Sequence, residues 1–202
     1  MISPKEVVIK TISEYKPKLE DFLDIELPEI QLLKFRDILT TTHEFISKTN
    51  LKKVTRYYTS IDKDITEITP KIQKLMKKIS TPITAMDLYR ASDTIFMTYI
   101  NNKAYLTLSP KIYNYIYSED SLRFSTVHEL GHVAHAIIRQ KSVFECPRQY
   151  HLLTENFANY VARKLTGYTK RDKGGAKYDY FYPIFEASMR RGELKKFIKN
   201  LF

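Results

Sequence analysis

Thr126-Val127-His128-Glu129-Leu130-Gly131-His132-Val133-Ala134 is the stretch that decides how this chain is read. At 3.6 residues per turn, positions four apart project from one face of an α-helix, so His128 and His132 can offer ring nitrogens to a single metal ion. Glu129 lies about 100° round the helix from His128, near enough to hydrogen-bond a metal-bound water without taking a ligand position. Apolar Val127, Leu130, Val133 and Ala134 surround these polar residues, which predicts a largely buried helix where unpartnered imidazoles would be costly. Two neutral imidazoles suit zinc, and a catalytic zinc ion takes three protein ligands and leaves its fourth position to water.

The third ligand separates the families that share this spacing. A metzincin-like continuation would place Gly three and His six residues after the second His, where this chain has His135 and Ile138, so that pattern is excluded. Further on, Leu153, Phe157, Tyr160, Val161 and Leu165 recur at helical spacing and predict a second amphipathic helix. Its opposite face carries Glu155, Ala158, Asn159 and Ala162, a carboxylate among small side chains that would let two backbones approach closely. Gly131 permits the same approach from the first helix. His151 and His135 are also chemically capable ligands. His135 follows His132 by three residues on the same helix, which makes joint coordination awkward and suits a supporting or core position. His43-Glu44 repeats the first two letters of the motif, but Ser47 stands where a second ligand would be needed.

His128-Glu129-Leu130-Gly131-His132, followed after 22 residues by the carboxylate of Thr154-Glu155-Asn156-Phe157-Ala158-Asn159-Tyr160-Val161-Ala162, resembles the gluzincin group of zinc peptidases over residues 94–165. That resemblance implies a ligand set of His128, His132 and Glu155 for one Zn2+ per chain, with Glu129 as the catalytic base. The extra His135 is similar to the oligopeptidase F and thimet group, and residues 155–162 look like the corresponding helix of aminopeptidases or small archaeal gluzincins. At 202 residues the chain would be a compact relative of those larger enzymes. Were His151 the third ligand, it would instead resemble the SprT-like, DNA-associated zinc proteases. The gluzincin resemblance also implies a donor that stabilises the oxyanion, for which Tyr150, His151, Tyr178, Tyr180 and Tyr182 are candidates. It further implies a strand beside the zinc helix whose edge can pair with an extended peptide, and Ala104–Leu108 is the stretch that suits it.

A length of 202 residues with 43% hydrophobic content is that of a globular protein able to bury one good core or two small ones. No stretch approaches a transmembrane span, and Met1–Lys10 lacks a secretory pattern, so a cytoplasmic protein without membrane association is expected. The single cysteine, Cys146, agrees with a reducing compartment and, just before Pro147, reads as structural. The net charge of +10 is uneven: residues 1–80 carry 15 basic and 12 acidic side chains, and the remaining 122 carry 18 and 11. Arg163, Lys164, Lys170, Arg171, Lys173 and Lys177 crowd around Gly174-Gly175, a solvated run or a surface for nucleic acid or acidic peptides.

The fold expected is α+β and mostly helical: residues 1–80 form a helical N-terminal region, and residues 81–202 form a zincin-like domain. Ser3-Pro4-Lys5-Glu6 is a capping box with Pro at the first helical position, opening a helix that Pro17 should end or bend. Helical patterns continue over about 28–48 and 51–79, interrupted near Pro70. Residues 94–100 and 104–108 flank Asn101-Asn102-Lys103 and are rich in β-branched and aromatic side chains, which predicts a small antiparallel sheet or hairpin beside the zinc helix. Pro183 precedes a last helix through Phe185, Met189, Leu194, Phe197 and Ile198.

Together these expectations describe a zinc metallopeptidase acting on a peptide or protein substrate. Glu129 would activate water as general base, and Asn159, one turn after Glu155, would orient the ligands. The alternative is a regulatory or nucleic-acid-associated protein that keeps the zinc fold as a latent or non-enzymatic scaffold.

Overall fold

The computed structural model describes residues 3–33, 95–100, 103–108, 118–140, 151–168 and 181–200. The first helix, α1 (Pro4–Leu23), starts where the capping box predicts. The Ser3 hydroxyl accepts from the Glu6 amide at 3.3 Å, and the Glu6 carboxylate accepts from the Ser3 amide at 2.7 Å. Of the two outcomes expected at Pro17, an end or a bend, the structure excludes the end: Pro17 lies inside the helix. Proline removes one backbone bond, but Val7, Val8, Thr11, Tyr15, Leu19 and Leu23 bury one continuous face on both sides of it. Each large apolar side chain so buried contributes roughly 1.5–3 kcal/mol, enough between them to override one lost bond and its steric conflict. The helix stops at Asp24, whose φ of 50° turns the chain left-handed.

Ile30–Leu33 forms strand β1 and not the start of a helix, which corrects the reading of residues 28–48 at its first turn. The physical reason is lateral pairing: Ile30 to Leu33 align in parallel with Ala104 to Thr107. Ile30 and Leu32 both pack inward while Gln31 is exposed, a period of two. Strands β2 (Ile95–Ile100) and β3 (Lys103–Leu108) pair antiparallel, from Ile95 against Leu108 to Ile100 against Lys103. The sheet order is β1-β3-β2, so the sheet is mixed and not antiparallel throughout as expected. The order also removes Ala104–Leu108 as a free edge, because β1 and β2 occupy both sides of β3.

The helix that carries His128, Glu129 and His132 is α2 (Glu119–Arg139), with Ser118 as N-cap, Glu119 and Asp120 in the first turn and Arg139 in the last, all matched to the helix dipole. Helix α3 (His151–Thr166) packs along α2, and β2 also contacts α2. Two short helices follow, α4 (Tyr182–Arg190) and α5 (Leu194–Asn200), where the sequence pattern suggested one. Gly192 breaks them: its φ is 67°, and the Gly192 and Glu193 amides fold back onto the Met189 and Ser188 carbonyls at 2.9 Å each. The kink brings Phe185, Leu194 and Ile198 into the same core.

That core is shared by distant parts of the chain. Tyr15, Leu19, Leu23 and Leu27 join Val127, Leu130, Val133 and Ala134 of α2 and Leu153, Phe157, Tyr160 and Val161 of α3. A smaller cluster, Val7, Val8, Leu106 and Leu122, joins α1, the sheet and the start of α2. Lys195 fastens α5 to the end of α1 through the Asp24 carboxylate at 2.7 Å. The boundary proposed at residue 80 lies outside the described residues, but α1 and β1 from before it pack with elements from after it. No helix of the described residues is long and apolar enough to cross a membrane.

Candidate metal centre

The site lies between α2 and α3, and its geometry begins with a close helix approach. A Cβ on Gly131 would stand 2.9 Å from the Ala158 Cα, inside contact distance of backbone. Only a residue without a side chain lets the two helices come this near, and the approach sets the ligands across a short gap.

Three of the residues singled out from the sequence converge there. His128 Nε2 and His132 Nε2 are 3.1 Å apart. Glu155 Oε2 is 3.2 Å from His128 Nε2, and Glu155 Oε1 is 3.4 Å from His132 Nε2. Zinc–nitrogen and zinc–oxygen bonds of about 2.0–2.2 Å in a tetrahedron put ligand atoms about 3.3–3.6 Å from one another. The triangle of the two Nε2 atoms and the Glu155 carboxylate, whose two oxygens each face one histidine, therefore has sides close to the ligand separations of a tetrahedral zinc site. The two imidazole planes stand at 88°, which aims both nitrogens inward without stacking the rings. The three side chains keep 14–22% of their exposure, so the centre is partly open to solvent.

Hydrogen bonding gives a further test of fit. The Asn159 Oδ1 accepts from His128 Nδ1 at 3.0 Å, as its place one turn beyond Glu155 suggested. With the proton on Nδ1, a neutral His128 turns a lone pair on Nε2 toward a carboxylate oxygen, itself an acceptor. Two acceptors at 3.2 Å need a proton or a cation between them, and a divalent metal satisfies this pair and His132 together. His132 Nδ1 is buried and has no hydrogen-bond partner among the described residues. Burial acts most strongly on Glu155 and would push its carboxyl up, but the surrounding His132 and His128 hold it well below the usual carboxylate range.

Glu129 sits beside this triangle. Its carboxylate and the nitrogens of His128 and His132 all lie within 4.8 Å of one another, and it is partly buried. It is thus near both imidazoles, as its position in the helix predicts.

The other candidates separate. His135 is core: its ring is buried against Phe157 at 5.5 Å, and burial first, then Arg139 and His132, pushes its pKa down to about 3. Tyr182 packs its ring against Tyr160 at 5.1 Å, within the contact between α3 and α4. Tyr160 in turn donates to Glu186 at 3.1 Å, and Lys164 from the basic run reaches the same carboxylate at 3.2 Å. The His151 side chain, Tyr150, Tyr178, Tyr180, Cys146, His43, Glu44 and the basic residues from Lys170 to Lys177 lie outside the described residues.

Two residues near the centre were not singled out from the sequence. The Phe124 ring lies 6.5 Å from the His128 imidazole, and the Tyr168 ring lies 5.4 Å from Phe124. Phe124 could have been found from its position one turn before His128 on the same helix face. Nothing in the spacing of Tyr168 points to the site, because a turn beyond the end of α3 brings it there.

No protein-family model, no curated protein and no solved structure matches this chain.

Proposed function

We propose that this protein is a zinc-dependent peptidase with a compact zincin-like arrangement of the gluzincin type. The observation that carries the proposal is the triangle of His128 Nε2, His132 Nε2 and the Glu155 carboxylate, 3.1–3.4 Å on each side, with the Glu129 carboxylate beside it. His128, His132 and Glu155 would hold one zinc ion, and two imidazoles with one carboxylate leave a position for water. Zinc there would supply Lewis acidity toward a carbonyl and toward water.

The protein's own groups do the rest. Glu129 accepts the proton of the attacking water and passes it to the leaving amine. Asn159 keeps the His128 proton on Nδ1 and so keeps Nε2 available as a ligand. The Glu155 carboxylate faces both imidazoles, the position a carboxylate ligand would take. A peptide or protein is the substrate that fits this machinery.

The test is metal content by plasma mass spectrometry, with cleavage of a peptide library measured in parallel. Wild type is expected to carry one zinc per chain and to cleave peptides. Glu155→Ala should lose the metal, whereas Glu129→Gln should keep it and lose cleavage by at least about 100-fold, the scale of a general base. Zinc retained in Glu155→Ala would move the third ligand elsewhere, and zinc without cleavage in wild type would retire the peptidase reading.

A further inference from the structure

Helix α3 does not simply end after its ligand. The Thr166 hydroxyl donates to the Ala162 carbonyl at 2.7 Å, the Gly167 amide reaches the Arg163 carbonyl at 3.0 Å, and Gly167 adopts a φ of 69°. A left-handed residue at this position reverses the chain direction, which is why glycine is favoured there. The Tyr168 amide then donates to the Thr166 hydroxyl at 3.2 Å, fixing the first residue past the turn. The result places the Tyr168 ring on Phe124, and Phe124 stands one helical turn before His128. Phe124 rests partly on the core, and both rings remain partly exposed. Aromatic area left open beside a polar, partly open metal centre is a surface to which an apolar group can dock.

We propose that Phe124 and Tyr168 form an aromatic wall on the His128 side of the centre that selects substrates with an aromatic or large apolar side chain next to the bond that is cut. This rests on the peptidase reading and adds the substrate class. The wall acts by contact with the substrate side chain, and neither residue takes part in proton transfer.

The test uses the full-length, zinc-loaded protein and two probes that share a metal-binding group, benzyl hydroxamate and acetohydroxamate, with binding followed by calorimetry. Wild type should bind the benzyl probe about 10-fold more tightly, the scale expected when one ring is removed from water. In Phe124→Ala and Tyr168→Ala that preference should fall toward unity, while zinc content and acetohydroxamate affinity stay unchanged. Tyr168→Phe should retain it, since the ring and not the hydroxyl makes the contact. Tyr168→Ala removes only a ring beyond the end of α3, so it decides the matter even if Phe124→Ala fails to fold.

Equal binding of the two probes by wild type, or binding of neither, overturns the wall. So does a preference untouched in Tyr168→Ala, or one lost equally in Tyr168→Phe. A wild type that prefers the benzyl probe, with the preference lost in Tyr168→Ala, yet cleaves no peptide retires the peptidase reading and the substrate role of the wall with it, and leaves only an apolar binding surface. Peptide cleavage with no preference for aromatic or apolar residues overturns the wall alone.

Discussion

Asn159 is the residue whose role is most sharply defined by a single bond. Its Oδ1 receives the His128 Nδ1 proton at 3.0 Å and thereby turns the other nitrogen toward the Glu155 carboxylate. Such supporting partners are worth about 10–100-fold in metal affinity. Asn159→Ala is therefore expected to weaken zinc binding by that factor in a competition titration against a chelator, while Glu129 and the ligands stay in place. An unchanged affinity would mean that packing alone orients His128. His132 offers a contrast: its Nδ1 is buried with no hydrogen-bond partner among the described residues. The sequence pointed to Asn159 because one helical turn separates it from Glu155. It could not point to Phe124 with Tyr168, since their meeting depends on the left-handed turn at Gly167.

Between elements, the decisive contact is Gly131 against Ala158. Replacing Gly131 by Ala raises intrinsic helix propensity by up to about 1 kcal/mol. The added Cβ would nevertheless sit 2.9 Å from a backbone carbon, which cannot rotate away as a side-chain tip could. Overpacking of this kind costs about 1–3 kcal/mol, so the steric effect outweighs the propensity gain. Gly131→Ala is predicted to lower the melting temperature by several degrees and to weaken zinc binding, because α2 and α3 carry the proposed ligands on both sides of the contact. A variant that is more stable and binds zinc normally would contradict this. The element bounds that the local pattern left open or misassigned follow from related causes. Pro17 stays inside α1 because burial on both sides exceeds the cost of one missing bond. Ile30–Leu33 is a strand because β3 offers it a partner more than seventy residues away in sequence, which no local pattern reveals.

At the scale of the molecule, α1 belongs to the same core as the metal centre. Leu19 is fully buried in the cluster that also contains Val127, Leu130, Val133, Phe157 and Val161. Leu19→Ala is expected to cost about 2–5 kcal/mol, as cavity-forming changes at buried leucines do. Denaturant unfolding followed by circular dichroism and by zinc release should then give coincident curves, shifted together to lower denaturant. Separate transitions, with zinc release unaffected by Leu19→Ala, would show that the first helix folds apart from the centre. The Lys195–Asp24 pair joins the same two ends of the chain but is exposed, and contributes little by comparison.

The residues by themselves determined which polar side chains share a helix face. His128, Glu129 and His132 share a helix face through the fixed geometry of 3.6 residues per turn, and Glu155 with Asn159 follows the same rule on the next helix, so local periodicity was sufficient. Tertiary structure decided what periodicity cannot encode: the 3.1–3.4 Å triangle across two helices, the central place of β3, the break at Gly192 and the aromatic pair beside His128. Each of these depends on which distant surfaces meet, and that is settled by burial and close packing over the whole chain.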